Sequence, residues 1–484
     1  MGVRTGAVSI VCLGLMVLTT PALAEVRLSF ADAVKIGVER NLDLVIERFE
    51  TRISDADVTK NGALYDPHLV GTTSVASERT PNPVTGAGSE SFRFTLSPGA
   101  RQLLPTGGTV GISFENLYSD AGTPGSVSYW GSDLLVTLNQ PLLKNFGRET
   151  TELSLNLSRE TRRAVGEKFT SRLLDLVAQI RSQYFLLHSL REEMKAKETS
   201  LQLAKKILVD TKARVDAGVL PAMEILNAEF GVSSRERELI EAERQVRDQE
   251  DALRLLIRLD EPGEIVPLDR PVTDEVMLEG EGELLRLVRE RSEVKELDAS
   301  IRALELQMRV AELQTKPELS LNAQAAFAGA GRGYGRDLDR LGSLEYPRWS
   351  IGLSFDYPLG NVSAEQEKVK SALKVEQAEK RKENLVSQLL NDLSTKARAV
   401  KTAWKQIDVA RRGLSYAEER LNAFTKKHEV GLATTKDLLD VENDRAQARS
   451  VLIRAEVGYA TALTQYWRST GLLLERLGVT VAGR

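Results

Sequence analysis

Three histidines, one cysteine and two spaced aspartates are the residues with which chemistry could begin in this chain. His68, His188 and His428 fall at a strand start, in a helical run and at a helix end, and no metal-type spacing joins them to one another or to a thiol. Gly107-Gly108 and Gly329-Ala330-Gly331-Arg332-Gly333 are glycine-rich, but each lies between strand-like segments with no following helix N-terminus to hold a phosphate. They read as turn glycines, and neither a catalytic set, a metal nor a cofactor is expected. Asp437 and Asp440 differ: three apart just after Gly431, they share one face at the start of a returning helix. Acids forced together would have raised apparent pKa values and would favour cations. Acids at a helix start are also what the helix dipole favours, and spacing alone leaves both readings open.

The elements that must position these residues begin with a leader. Arg4, an apolar run from Ala7 to Leu18, and Thr19-Thr20-Pro21-Ala22-Leu23-Ala24 have the form of an export signal cut before Glu25. The run is short of the roughly 20 residues needed to span a bilayer. Cys12, the only cysteine, lies inside it, so the exported chain is expected to carry no thiol and no disulfide. Loss of Arg4 leaves 64 cations against 69 acids, a net of −5. Such mild acidity argues against a nucleic-acid partner, which needs a clustered basic face. Nothing after residue 24 is apolar for long enough to be a membrane helix, so entry into a membrane would have to be as strands.

The chain then says the same thing twice. Leu64-Tyr65-Asp66-Pro67-His68-Leu69 recurs as Gln314-Thr315-Lys316-Pro317-Glu318-Leu319, at an offset of 250, and Gly218–Glu229 is echoed by Gly431–Glu442 at 213. Each copy runs from short helices through alternating strands to a very long helix that turns at a glycine, an order that implies a pseudo-symmetric fold. In the first copy Ser29 and Asp32 are capping candidates and Asn41 breaks two helices. The period then changes to two: Phe92, Phe94, Leu96; Val110, Ile112, Phe114; Leu134, Val136, Leu138. The second copy has Leu319, Leu321, Ala323, Ala325 and Phe327, a Gly/Arg/Tyr-rich loop, then Trp349, Ile351, Leu353 and Phe355. Aromatic residues flank these runs, with Trp130, Trp349 and Tyr357 placed as a membrane-interface girdle.

Two proline-free stretches follow, about 148–217 and 363–430, each roughly 105 Å long as helix. The chain returns after Gly218 and after Gly431, making two helical hairpins of coiled-coil composition. A lone pair of such hairpins leaves an apolar seam uncovered, and six or fewer strands cannot close a membrane barrel, whose smallest forms need about eight. Open sheet edges are not tolerated in hydrocarbon, so several chains must share one barrel.

With leader, duplicated halves, strand segments and hairpins in hand, residues 25–480 resemble the TolC family of outer-membrane efflux proteins. The resemblance rests on the strand starts at Pro67 and Pro317, the strand exits Gln140-Pro141-Leu142 and Tyr357-Pro358-Leu359, and the paired turns at Gly218 and Gly431. It implies an α+β membrane protein, a homotrimer in the Gram-negative outer membrane with one shared β-barrel, a periplasmic α-barrel and an equatorial belt. The expected layout is a signal peptide (1–24), a first repeat (25–259, strands about 67–141, hairpin about 148–259), an equatorial connector (260–282), a second repeat (283–477, strands about 318–358, hairpin about 362–477) and a tail (478–484). Membership further implies a passive exit duct completing an inner-membrane pump through a periplasmic adaptor, with the adaptor docking at Gly218, Val219, Leu220 and at Gly431, Leu432, Ala433.

The resemblance tips Asp437 and Asp440 toward the pore constriction. It also implies a closed-state network of an acid on the first hairpin and a tyrosine and an arginine on the second. Glu224 matches the acid, but His428 stands where the tyrosine would be and Ala433 where the arginine would be, with Lys436 one turn on as a partial substitute. A mouth held less by salt bridges is the expectation. The segment Phe92–Tyr118 looks like an additional hairpin in the first copy, where the family commonly has two strands per half, and the residues leave open whether it widens the barrel or folds over an end. The rival readings are an exported coiled-coil scaffold without a channel and an exported enzyme on a helical stalk. The first predicts detergent-free monomers or helical dimers; the second needs a titratable cluster that the strand region lacks.

Overall fold

The computed structural model describes residues 25–81, 88–120 and 126–478. The expected leader at 1–24, the turn residues 82–87 and 121–125, and 479–484 of the tail lie outside them. The first half runs β1 (Val26–Leu28), α1 (Phe30–Arg40), α2 (Leu42–Gly62), β2 (His68–Pro81), β3 (Gly88–Leu103), β4 (Thr109–Asp120), β5 (Tyr129–Pro141), α3 (Arg148–Thr151), α4 (Leu153–Asp216) and α5 (Met223–Ile257). The second runs β6 (Ile265–Pro267), α6 (Glu281–Arg289), α7 (Ser292–Leu313), β7 (Glu318–Ala328), α8 (Tyr334–Gly342), β8 (Pro347–Asp356), α9 (Val362–Glu429), α10 (Thr435–Thr470) and α11 (Leu473–Arg476). The long helices match in pairs, 64 against 68 residues for α4 and α9 and 35 against 36 for α5 and α10. The strands between the repeated helices do not match: four stand in the first copy and two in the second.

Local chemistry sets the boundaries. The Ser29 hydroxyl accepts the Asp32 N–H at 3.1 Å and caps α1. Asn41 leaves the helix at ψ 124°, and its Nδ2 donates to Leu256 O at 2.9 Å. Gly166 and Gly413 sit inside α4 and α9 without breaking them.

The chain divides into two compact units, one of residues up to Asn41, Leu176–Met277 and Lys396–Tyr466, the other of Leu42–Asp175, Leu278–Thr395 and the chain from Trp467 on. In the first unit β1 pairs in parallel with β6. Beneath them lies Tyr184, fully buried. Its O–H donates to Leu28 O at 2.9 Å and its oxygen accepts the N–H groups of Leu268 and Asp269, each at 3.0 Å. Burial pushes its pKa up to about 12. Phe30 packs edge-on to this ring, and the buried Arg181 guanidinium lies over Phe30 and Phe185, its pKa lowered to about 10 by burial. The connector is pinned a second time where Tyr459 Oη donates to Asp274 O at 2.8 Å and accepts Val276 N–H at 3.1 Å. Tyr184→Phe leaves the Leu268 and Asp269 N–H groups without their acceptor and is expected to destabilise the protein by about 1–3 kcal/mol. The check is a lowered temperature for loss of the helical circular dichroism signal, with an unchanged transition counting against the role given to the hydroxyl.

The second unit is built on a six-stranded antiparallel meander in the order β2-β3-β4-β5-β7-β8. The hairpin that the sequence left unplaced is thus part of the sheet: β3 pairs with β2 on one side and β4 on the other. The β3–β4 turn is tight because Gly107, at φ +86°, lies where a Cβ would meet Asn145 O at 2.4 Å.

The expected Gly/Arg/Tyr-rich loop after β7 contains a helix, α8. Its Asp337 is fully buried, accepting Ser132 N–H at 3.1 Å and Ser132 Oγ–H at 2.5 Å. Gly329 makes room for it, since a Cβ there would stand 2.4 Å from Asp337 O.

Candidate functional site

Two parts of the molecule could serve a conduit, the sheet and the hairpin turns. In an antiparallel sheet directly paired residues share a face, so the register assigns every side chain. Val75↔Phe94, Phe94↔Tyr118, Phe114↔Leu134, Leu134↔Phe327 and Phe327↔Pro347 lie on one face, as do Thr73↔Leu96, Ile112↔Val136, Val136↔Ala325 and Ala325↔Trp349. This face carries apolar residues on every strand, with Thr73 and Ser77 on β2 and the hydrogen-bonded Asn116–Ser132 pair, which also bonds α8, as polar exceptions. The other face carries Asn139, whose Nδ2 donates to Asn322 Oδ1 at 2.6 Å, and Asn322, whose Nδ2 donates to Ser354 Oγ at 3.2 Å, along with the Asp133–Arg348 ion pair. A sheet apolar on one side and hydrogen-bonded on the other suits lipid outside and water inside.

Trp130 clusters with Tyr118 and Tyr334, ring centroids 5.1 and 5.0 Å away. The register does not put Trp349 at the same level: Trp130 bridges Gly331, whereas Trp349 pairs with Ala325, six positions earlier in the chain. Tyr357 follows the opposite end of β8. Trp130 and Trp349 thus stand near one end of their strands and Tyr357 beyond the other end of β8.

The two hairpin turns share one construction. Gly218 (φ +71°) and Gly431 (φ +77°) adopt the left-handed conformation that ends a helix without strain. Val219 N–H bonds Arg214 O and Leu432 N–H bonds Lys427 O, each at 2.8 Å, closing the six-to-one bond of a Schellman motif. Val219 and Leu432 occupy the position whose apolar side chain such motifs normally tuck back onto the helix, yet they are 68% and 78% exposed. Leu220 and Ala433 are half-buried.

Asp437 belongs to a capping box. Its carboxylate accepts the Thr434 N–H at 2.9 Å and hydroxyl at 2.7 Å, while its own N–H donates to Thr434 Oγ1 at 3.1 Å. The Thr434 hydroxyl, then its N–H, hold the carboxyl below its ordinary pKa. Asp440 lies one turn on, and both acids are exposed.

His428 is buried. Its Nδ1 is 3.1 Å from Ala433 O, which places the proton on Nδ1, and its Nε2 is 3.8 Å from Asp210 Oδ2. Arg214 Nη1 donates to His428 O at 2.9 Å and its Nε pairs with Asp210 at 2.9 Å. One guanidinium thus clasps the first hairpin to the second. Among the described residues no hydrogen bond or ion pair joins Glu224, His428 and Lys436 to each other; the His428 carbonyl accepts from Arg214, and its ring lies against Ala433 O and Asp210. Sequence reasoning missed Arg214 because its acceptor is a backbone carbonyl more than two hundred residues away. It also missed Glu442, buried where Ser200 Oγ donates to it at 2.7 Å and Arg235 approaches at 3.3 Å.

Residues 117–257 and 285–472 match the outer membrane efflux protein family. The chain belongs to that family. It is 22% identical over 388 residues to the pyoverdine export outer membrane protein OpmQ of Pseudomonas aeruginosa, covering 77% of this chain and 79% of that one. Among solved structures, the outer-membrane channel OprN is similar at TM-score 0.69 and 17% identity over 91% of this chain and 89% of its own. The open state of the Neisseria gonorrhoeae MtrE outer membrane channel is similar at TM-score 0.65 and 16% identity over 91% and 88%. The fold is that of the TolC-like channels. As an outer membrane efflux protein the chain is located in the outer membrane with a periplasmic extension. No described helix is long and apolar enough to cross a membrane.

Proposed function

We propose that three copies of this efflux protein form one passive duct from periplasm to exterior, completing an inner-membrane pump through a periplasmic adaptor. The observation that carries the reading is the sheet, apolar on one face and hydrogen-bonded on the other, with both edge strands exposed on every residue of a single chain. Exposed apolar side chains on the helices, Leu226 and Phe230 on α5 and Val409 and Tyr416 on α9, add surface that neighbouring copies would cover. OpmQ is named for export, which supports the outward direction. Energy comes from the pump, since the duct does no chemistry.

The two turns are the docking points for the adaptor, with Val219 and Leu432 as anchors. Asp437 and Asp440 line the constriction, and the Arg214 clasp takes the place of the charged latch. The purified protein is expected to run as a heat-dissociable trimer that conducts ions in planar bilayers. Val219→Asp with Leu432→Asp should leave that conductance intact while cells lose export of the system's cargo. A stable single subunit without detergent would overturn the duct, and unimpaired efflux in the double variant would overturn the docking.

A further inference from the structure

The sheet carries a count that the assembly must obey. Each chain supplies six strands in one meander, and the edges of that meander are β2 and β8. Successive strands alternate in direction, so the first and sixth run opposite ways. A β8 set beside the β2 of a neighbouring copy is therefore antiparallel, the same geometry as every pairing within the chain.

The apolar face is continuous into the first hairpin. Leu69 pairs with Ala100, Thr73 with Leu96 and Val75 with Phe94, and Phe94 passes the column to Tyr118 on β4. On the opposite face Ser74 Oγ and Thr95 Oγ1 are hydrogen-bonded at 2.6 Å, in line with the polar side of the other strands. A hairpin folded away over one end of a barrel would have no reason to keep both faces in register with the wall.

We infer that the occupant of each exposed edge is a second copy of this chain, β8 of one protomer joining β2 of the next, so that three copies close a barrel of eighteen strands. The inference rests on the trimeric duct proposed above. With strands about 4.8 Å apart and tilted about 40°, eighteen give a backbone diameter of about 36 Å, against about 24 Å if β2 and β3 were left out and twelve strands closed.

Cryo-electron microscopy of the trimer in lipid nanodiscs would count the strands directly. Eighteen is expected; twelve, with residues 68–103 off the wall, overturns the inference while leaving the duct standing. A monomer overturns the duct and the inference together. Disulfide trapping gives an independent reading in intact membranes, against a background whose only cysteine, Cys12, is replaced by serine. Ser350→Cys on the water face of β8, combined with Thr72→Cys, Ser74→Cys or Ala76→Cys on β2, should yield covalent trimers. Trimers formed instead by Ser350→Cys with Ser113→Cys on β4 would show that the seam closes without the first hairpin.

Discussion

Trivalent cations should block the wild-type channel, and replacing both Asp437 and Asp440 with alanine should raise the concentration needed for block roughly tenfold or more. The expectation follows from the exposure of both carboxylates at the start of α10, where three copies would bring six of them round one axis. Like charges held together favour any cation that neutralises several at once. Single-channel recording of the double variant decides it, and unchanged block would remove these acids from the constriction. The pH dependence has a definite sign. Block through Asp437 exists while its carboxylate is ionised and disappears as pH falls through its pKa. The Thr434 hydroxyl and N–H stabilise the ionised form of Asp437, so Thr434→Ala should move the loss of block to higher pH.

Arg214→Ala should raise open probability about tenfold. Its Nη1 makes a charge-assisted hydrogen bond to His428 O, and it is the direct charged link between the two hairpins at the turn. Loss of such a bond is worth about 1.5–3 kcal/mol, with the lower end fitting a partly exposed tip, and about 1.4 kcal/mol is a tenfold shift in the balance of closed and open states. Arg214→Lys keeps the charge without the fork that serves Asp210 and the carbonyl together, and should fall between. If open probability in Arg214→Ala matched wild type, the clasp would be structural only.

Much of this was legible in the residues because it depends on local rules. Gly218 and Gly431 had to be glycine at positive φ, Ser29 had to cap α1, and Asn41 had to break two helices. The strands of the second copy alternate cleanly from Leu319 to Phe355. Strand β2 was harder to read, for its lipid side holds Gly71, Thr73 and Ser77 among Leu69 and Val75, too little hydrophobic contrast to stand out. Helix α8 was read as a loop because glycines surround it, and its anchor is a buried bond between Asp337 and Ser132, which lie 205 positions apart. Arg214 is one of many arginines on a solvated helix, and nothing in its neighbours marks its acceptor. The Thr434–Asp437 box, by contrast, is a four-residue pattern that was there to be found, and the carboxylate that it occupies is one also assigned to the ring.

The meander has a consequence for how ducts of this kind can change calibre over evolution. Because the first and last strands of the sheet run opposite ways and, in the closure inferred above, the last strand meets a neighbour's first, a subunit can gain or lose only whole hairpins. Under threefold symmetry each such event adds or removes six strands at once. Diameters are therefore quantised, and an ancestor could not have widened gradually into the present barrel.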